Sequence, residues 1–541
     1  MTAVGWLNDL GTISADRVEL AISLVEGSKE VWRLEDSLHR GTGRPRGLSV
    51  RAILVAIVTL ALDDRPLILK SATEVLFELS QSQKERLEVK GGTRGQDEFL
   101  NTYRRVRYLF HLICGEVDPS PLPKNLCVDA EILASRAKPL SESESADKAA
   151  SLARLCNSLL DQSVKLMTTN ELRSYDGSIG LDATPVPLFS RGPSKTKGTC
   201  ASDPDGGWYV REGDHRDSED NKGRRKTKIA WALEATIATM AQLRDEGGPK
   251  HPNLAIGIGM SRPGHNPGGM GAEVLTQISQ KGYKPGYLGV DRAYSGANPE
   301  SFHLPALALR YRVVMDYRID QLGRQANSSG ALLVEGGWYC PEMPCLLIDA
   351  TIDWRMGKID QATYDMRILA RKAYSLRRKQ GPDQDGYERY SCPATGKYPK
   401  VKCPIRPSSL LTQDGRIKVK VAESEELKPA ICCQSSITIS VDVGVRHRQE
   451  LAFGSNEWHN RYATLRNSIE GLNGYIKDPC HEALSQPGRR RVRGIAPQSI
   501  FVTVLLMAAN VRKTNSFRHE QAQRGGTHPP KRRRTSLTAY A

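Results

Sequence analysis

The sequence predicts an α/β protein. A mixed sheet, buried on both faces, follows an all-α N-terminal domain and is interrupted by a mainly β insertion. Three observations predict this class. Residues 1–115 carry apolar residues at helical spacing, residues 173–319 alternate short β-prone runs with helix-like runs, and residues 320–450 replace that alternation with strand-like pieces. The chain has 541 residues, more than one hydrophobic core normally supports, so we expect several domains.

The first 115 residues are predicted to form a compact helical module that binds DNA. Asp16–Gly27 has apolar residues three and four positions apart, and Ser49 caps a run that is apolar nearly all round. Between these two helices, RGTGRPRG at 40–47 is either an arm that enters a DNA minor groove or a plain linker. A later segment, EFLNTYRRVRYLFHLI, carries Arg104, Arg105 and Arg107.

Residues 116–172 are predicted to be a linker rich in Pro and Ser, followed by a connecting helix.

Two acids stand out in the part of the chain after this helix. In the predicted core, Asp182 lies inside the β-prone run SIGLDATPVPLF, and Asp291 closes the apolar strand of GYLGVDRAYSG. A lone Asp in such a run is more often a turn or ion-pair residue, so neither acid is decisive by itself.

Residues 320–450 look like an inserted subdomain. They contain four strand-like pieces (ALLVEGGWYC, CLLIDATID, GRIKVKV and SSITISVDVG) and one basic helix. Six of the eleven cysteines lie here: Cys340, Cys345, Cys392, Cys403, Cys432 and Cys433. Their spacings do not form a paired CxxC pattern, so zinc binding is left open and reduced thiols are expected. Residues 451–513 resume the core, and the basic tail 514–541 is predicted to be disordered.

The charge of the chain indicates its class of partner. The formal net charge is +16 and the isoelectric point about 9.3. This balance favours nucleic acid over an acidic membrane, because no strongly basic amphipathic anchor stands out. The longest apolar runs, 52–62 and 500–509, are too short to span a bilayer, and no signal peptide is evident. We therefore expect a cytoplasmic, nucleoid-associated protein with no membrane partner.

One helical segment, RYATLRNSIEGLNGYIK at 461–477, has an unusual face. Its members lie at steps of four, four, three and four residues, which places them on one side of an α-helix. They are Tyr462, Arg466, Glu470, Asn473 and Lys477. The face is polar, cationic and aromatic, with a single acid. It is either a surface for an anionic polymer or an ordinary solvated face with i,i+4 ion pairs.

Three carboxylates in this arrangement have a specific use. Asp182 and Asp291 belong to predicted strands and Glu470 to the helix, so they can converge at one edge of the sheet. Oxygen ligands suit Mg²⁺, with Mn²⁺ as an alternative. Two such ions can promote in-line displacement at a phosphodiester.

At these residues the sequence resembles a known family. LDATPVPLFSRG, GVDRAYSG and the spacing Arg466-x3-Glu470-x6-Lys477 look like the three acidic motifs of DDE transposases encoded by bacterial insertion sequences. The resemblance is closest to the class with a Tyr-Arg-Glu-Lys signature, and it covers roughly residues 178–510. It implies a ribonuclease-H-like core, interrupted between the second and third acids. Asp182, Asp291 and Glu470 would then be the catalytic and metal-binding triad.

The resemblance also implies how the chain meets DNA. Such enzymes cut DNA at the element's terminal inverted repeats and join the 3′-OH to target DNA, and assembly on paired ends favours a homodimer. Candidate DNA contacts are Tyr462, Arg466, Asn473, Lys477, Arg489, Arg490, Arg491 and Arg493. Two departures stand out. Three residues separate Tyr462 from Arg466 where the usual signature has two, and Gly471 and Gly474 each cost about 1 kcal/mol in a helix interior. A catalytically inactive DNA-binding protein and a nuclease without strand transfer remain alternatives.

Overall fold

The structure is a computed structural model. It describes residues 14–39, 47–90, 96–194, 196–211, 228–242, 248–411, 415–421 and 428–524. The predicted arm at 40–47 therefore falls almost entirely outside the described residues. Within them the protein is mixed α/β, as the sequence predicts.

Among the described residues, only helices precede the first strand. They are α1 (Ala15–Glu26), α2 (Lys29–Leu38), α3 (Val50–Leu62), α4 (Leu69–Glu78), α5 (Gln81–Arg86), α6 (Gln96–Val117), α7 (Ala130–Ser135), α8 (Glu142–Val164) and α9 (Thr169–Ser174). Ser49 caps α3 by accepting a hydrogen bond from the Ala52 amide, as its position predicts. All thirteen residues of α3 are buried, because the helix is apolar nearly all round.

A six-stranded mixed sheet forms the centre of the molecule. Its strands are β1 (Ile179–Pro187), β2 (Gly207–Arg211), β3 (Lys228–Met240), β4 (Ala255–Ser261), β5 (Tyr287–Val290) and β6 (Arg312–Met315). The spatial order is β4-β3-β1-β5-β6, with β2 pairing the first part of β3. Strand β3 is antiparallel to β1, β2 and β4, whereas β1, β5 and β6 run parallel. The helices α10 (Pro267–Gln280), α11 (Arg292–Ser295) and α12 (Leu304–Ala308) complete this part.

Both edges of this sheet are closed by side-chain amides. At β4, buried Asn510 bonds both the amide and the carbonyl of Ala255 at 2.8 Å, and buried Asn157 does the same for Ile258 at 3.0 and 2.8 Å. At β6, Gln449 bonds the amide and carbonyl of Met315 at 3.4 and 3.3 Å. These amides replace a neighbouring strand, so the edges do not present unpaired backbone groups there.

The insertion leaves the core after β6 and has its own hydrophobic core. It contains β7 (Arg324–Ser328), β8 (Ala331–Val334), β9 (Gly337–Tyr339), α13 (Cys345–Ile348), α14 (Ala350–Arg355), α15 (Gln361–Tyr374), β10 (Arg377–Gln380), β11 (Tyr387–Ser391), α16 (Ala430–Cys433) and β12 (Ile437–Ser440). The strands form two three-stranded sheets. The prediction of a mainly β subdomain was wrong in two respects. GRIKVKV makes only an isolated bridge, between Lys418 and Lys402, and CLLIDATID forms α13 and α14. That short apolar run fits either a buried strand or a helix.

Two long helices complete the core, α17 (Asn456–Lys477) and α18 (Ile495–Arg524). Helix α18 corrects the predicted boundary of the tail, since the described helix continues ten residues past Thr514, and residues 525–541 lie outside the description. By length and composition α18 could cross a membrane, but 89% of its most apolar window is buried inside the protein. That burial is typical of a core helix.

The N-terminal helices share one core with α8, α18 and part of the sheet. This continuous core joins α1 and α3 to residues of α17 and α18, so the segment 1–115 is not packed as a separate body. The connecting helix predicted within 116–172 is α8, and its buried face also belongs to this core. Helical spacing locates each helix but not the element against which it packs.

Candidate functional site

The first two predicted acids lie side by side on the central sheet. Strands β1 and β5 are parallel, and Leu181 pairs with Val290 in their register. Asp182 and Asp291 are the next residue of each strand segment, so their backbones are neighbours. Asp182 is half-buried within β1. Asp291 follows β5 and caps α11 by accepting a hydrogen bond from the Arg292 amide at 2.6 Å.

A glycine two positions before each acid lets α17 pack closely over both strands. A Cβ on Gly180 would overlap the Leu465 carbonyl of α17, and one on Gly289 would overlap the Leu465 side chain. Because side chains alternate along a strand, each glycine and the acid two residues later face the same way. The repeated Gly-x-Asp pattern therefore positions both carboxylates toward α17. Sequence reasoning missed this signal, although GLD and GVD are both visible in the chain.

Helix α17 brings three polar side chains to the two acids. The Asn473 Nδ2 donates to Asp182 Oδ2 at 3.2 Å. The Arg466 Nη2 donates to Glu470 Oε1 at 2.7 Å and lies 3.9 Å from Asp291 Oδ2. Arg466 thus bridges the second and third predicted acids. The fold brings Asp182, Asp291 and Glu470 to the same region, with one guanidinium among them.

The helix is continuous through both of its doubtful glycines. α17 runs from Asn456 to Lys477, and a Cβ on Gly471 or Gly474 would meet no atom within 4 Å. The low helix propensity of these two glycines therefore does not break the helix. They leave an open strip on its outer side, next to Glu470, whose side chain is 56% exposed.

Electrostatics distinguish the half-buried acid, Asp182, from the two exposed ones. Burial, with a smaller contribution from the neighbouring Asp291, raises the pKa of Asp182 to about 6, although Arg466 and Lys477 oppose the shift. Asp291 and Glu470 have side chains 43% and 56% exposed. The charged form of Asp182 consequently depends on nearby cations.

The predicted polar face of α17 is only partly a surface. Asn473 is buried and bonded to Asp182, and Tyr462 is stacked on Trp458 with ring centroids 4.9 Å apart. Burial raises the pKa of Tyr462 to about 12. These two side chains pack between helix and core, which corrects the expectation that they lie on an open DNA-facing surface. Lys477 acts electrostatically on Asp182.

The basic turn at 488–494 likewise contains both buried and exposed arginines. Arg490 is fully buried and donates to the carbonyls of Leu484 and Pro187, so its prediction as a DNA contact was wrong. Arg489 pairs with Asp64 at 2.7 Å, and its side chain is only 9% exposed. Arg493 donates to Ser202 Oγ at 3.3 Å. Arg491 is exposed beside the Phe189 ring, and it is the member of this turn best placed to meet a phosphate.

A fourth acid completes a row that sequence reasoning missed. Val290 pairs with Met315, so Asp316 follows β6 in line with Asp182 and Asp291. Asp316 is ion-paired with Arg292 and with Arg355, the latter at 2.8 Å. It is therefore neutralised within the protein. The pattern of an apolar strand followed at once by Asp, in VMD as in GVD, could have revealed it.

The oxygen atoms of this region are of the kind that a metal ion requires. Across the described ranges, no three side chains among His, Cys, Asp and Glu are grouped so as to hold an ion in this arrangement. The chemistry of the set nevertheless fits a hard cation, since it offers carboxylates and Asn473 Oδ1, a buried oxygen with no hydrogen-bond partner among the described residues. The Arg466 guanidinium provides the positive charge between Asp291 and Glu470.

Comparison with known proteins gives no relatives. No family model matches the chain, and neither the curated proteins nor the solved structures include a significant match.

Proposed function

We propose that this protein is a DNA transposase of the DDE type, with a ribonuclease-H-like core. One observation carries the proposal. Asp182 and Asp291 occupy adjacent register positions on parallel strands, and the helix that carries Glu470 packs directly over them. Carboxylates on neighbouring strands and a covering helix are what the motif resemblance requires. The order β4-β3-β1-β5-β6, with only β3 reversed, also supports the finer assignment of the core.

The proposed reaction needs divalent cations. Asp182, Asp291 and Glu470 would hold Mg²⁺ or Mn²⁺, and the bound ions would supply charge stabilisation for phosphodiester displacement. The protein's own side chains perform the remaining tasks. Asn473 orients the Asp182 carboxylate, and Arg466 and Lys477 offer positive charge for the scissile strand.

Exposed basic side chains provide a surface for the DNA partner. Arg104, Arg105 and Arg107 are exposed on α6, together with Tyr108. Arg491 adds a cation near the end of β1. With a net charge of +16, we propose that these surfaces bind the element's terminal repeats and target DNA. Pairing of two ends by a homodimer in the bacterial cytoplasm completes the proposal.

The experiment uses DNA that flanks the coding sequence. Purified protein should nick this DNA and join the free 3′-OH to a plasmid, in a reaction that requires Mg²⁺. Asp182→Asn, Asp291→Asn and Glu470→Gln should each lower the rate at least about 100-fold while retaining DNA binding. Glu457→Gln, at an exposed position in the first turn of the same helix, is the matched control.

Other outcomes identify the competing functions. Cleavage that persists in Asp182→Asn would refute the proposed site. Cleavage without joining would indicate a nuclease. Specific DNA binding with no cleavage would indicate a non-catalytic DNA-binding protein, a function favoured by one observation, namely that Arg466 already neutralises two of the acids.

A further inference from the structure

Four cysteines from distant parts of the insertion line one small cavity. Cys340 follows β9, Cys392 follows β11, Cys403 lies in the next loop, and Cys432 belongs to α16. All four are buried. The cavity measures about 10 Å³, which is roughly the space that one water-sized sphere occupies. Folding thus gathers thiols whose sequence spacings carry no recognisable metal pattern.

Three N–H donors lie at the cavity beside the sulfurs. The amides of Glu342 and Ala394 donate to the sulfurs of Cys340 and Cys392, two residues earlier in each case. Arg406 lines the same cavity, and its buried Nε has no hydrogen-bond partner among the described residues. These N–H groups are donors suited to a thiolate.

We propose that Cys340, Cys392, Cys403 and Cys432 bind one structural zinc ion. Four sulfur ligands without an open position define a closed tetrahedral site. Tetrahedral S₄ sites select zinc or iron–sulfur clusters, and a cavity the size of one atom suits a single ion. The thiols are not grouped at ligating geometry in the described arrangement, so they must turn toward a common point as the ion enters.

Binding requires no oxidant or reductant. The four thiols release four protons to solvent, and four zinc–sulfur bonds form with Zn²⁺. The resulting centre carries two negative charges, which Arg406 and the amides of Glu342 and Ala394 offset in part. The ion would join the ends of β9 and β11, and therefore link the two three-stranded sheets of the insertion.

Zinc content of the full-length chain tests the proposal. Protein purified under reducing conditions without chelators should contain one zinc per chain by mass spectrometry. Replacement with Co²⁺ should produce the intense absorption of tetrahedral cobalt thiolate. Cys392→Ser and Cys403→Ser should lose the metal. Cys433→Ser, which changes an exposed cysteine next to Cys432, should retain it. Arg406→Gln should weaken zinc affinity roughly 10-fold.

Several results would overturn the site. The chain could be free of metal and give no cobalt spectrum, or Cys403→Ser could retain zinc. Disulfides among the four cysteines that persist after purification under reducing conditions would also refute it. If the serine variants fail to fold, chelator titration of the unmodified chain decides. Loss of zinc should then lower the temperature at which the insertion unfolds, and an unchanged unfolding temperature would also refute a structural ion.

Discussion

The neighbours of each single residue decide which carboxylates of the central sheet are available to bind a ligand. Asp182, Asp291 and Asp316 stand in one row, yet their surroundings differ. Asp316 is neutralised by two arginines, Asp291 is near one, and Asp182 is half-buried with its pKa raised to about 6. The residue type is the same in all three cases, so the surroundings alone separate an aspartate in a structural ion pair from a candidate metal ligand.

Gly289→Ala tests the close packing behind the acids. The added Cβ would overlap Leu465, so α17 must move away from β5. We expect a loss of about 1–3 kcal/mol in the free energy of unfolding, measured with urea, and a lower rate in the DNA cleavage assay. Gly474→Ala, where a Cβ meets open space, should stabilise the helix slightly. Equal effects of the two substitutions would contradict this role for Gly289.

His303 should make the protein sensitive to acid. Burial lowers the pKa of this histidine to about 4, and it contacts the Tyr294 carbonyl at 3.0 Å. The folded state therefore favours neutral imidazole. Its contribution is complete above the unfolded pKa of about 6.5 and is lost as pH falls toward 4, amounting to roughly 2–3 kcal/mol. Urea unfolding between these pH values should show a smaller loss of stability in His303→Asn. The same slope in both proteins would exclude His303 as a source.

The positions of helices and strands were predicted more reliably than the elements against which they pack. Caps and apolar spacing locate helices such as α3, and the strands bearing Asp182 and Asp291 follow from β-prone runs. The burial of Arg490, the gathering of four cysteines and the extension of α18 depend on contacts between distant parts of the chain. A single sequence does not encode such contacts in any local pattern, because charge and spacing are the same for a buried arginine and an exposed one.

Asn510 tests the closure of the sheet at β4. Asn510→Ala would leave the amide and carbonyl of Ala255 unpaired in a buried position. We expect the free energy of unfolding to fall by about 2–5 kcal/mol in urea titrations, because each unpaired buried group costs about 1–3 kcal/mol. Asn101→Ala, an exposed change on α6, is the control. A loss similar to that of the control would show that water replaces the amide.

At the scale of the whole molecule, the N-terminal helices and the sheet share one core. Removal of residues 1–117 should expose the buried sides of α8 and α18, whose apolar residues pack against α1 and α3. We expect the remaining chain to aggregate or to lose its cooperative unfolding transition in calorimetry. A soluble fragment that unfolds cooperatively at the temperature of the full chain would mean that the two parts are separate domains.

The amide of Gln449 has a consequence for how this protein can change over evolutionary time. It binds Met315 where the chain leaves the sheet and accepts a hydrogen bond from Trp458 at 2.8 Å where α17 has begun. The segment between Met315 and Trp458, which contains the insertion, therefore begins and ends at the same place in the fold. Its length can grow or shrink at little entropic cost. Lineages could exchange the whole insertion, zinc site included, while Asp291 and Glu470 keep their distance from one another.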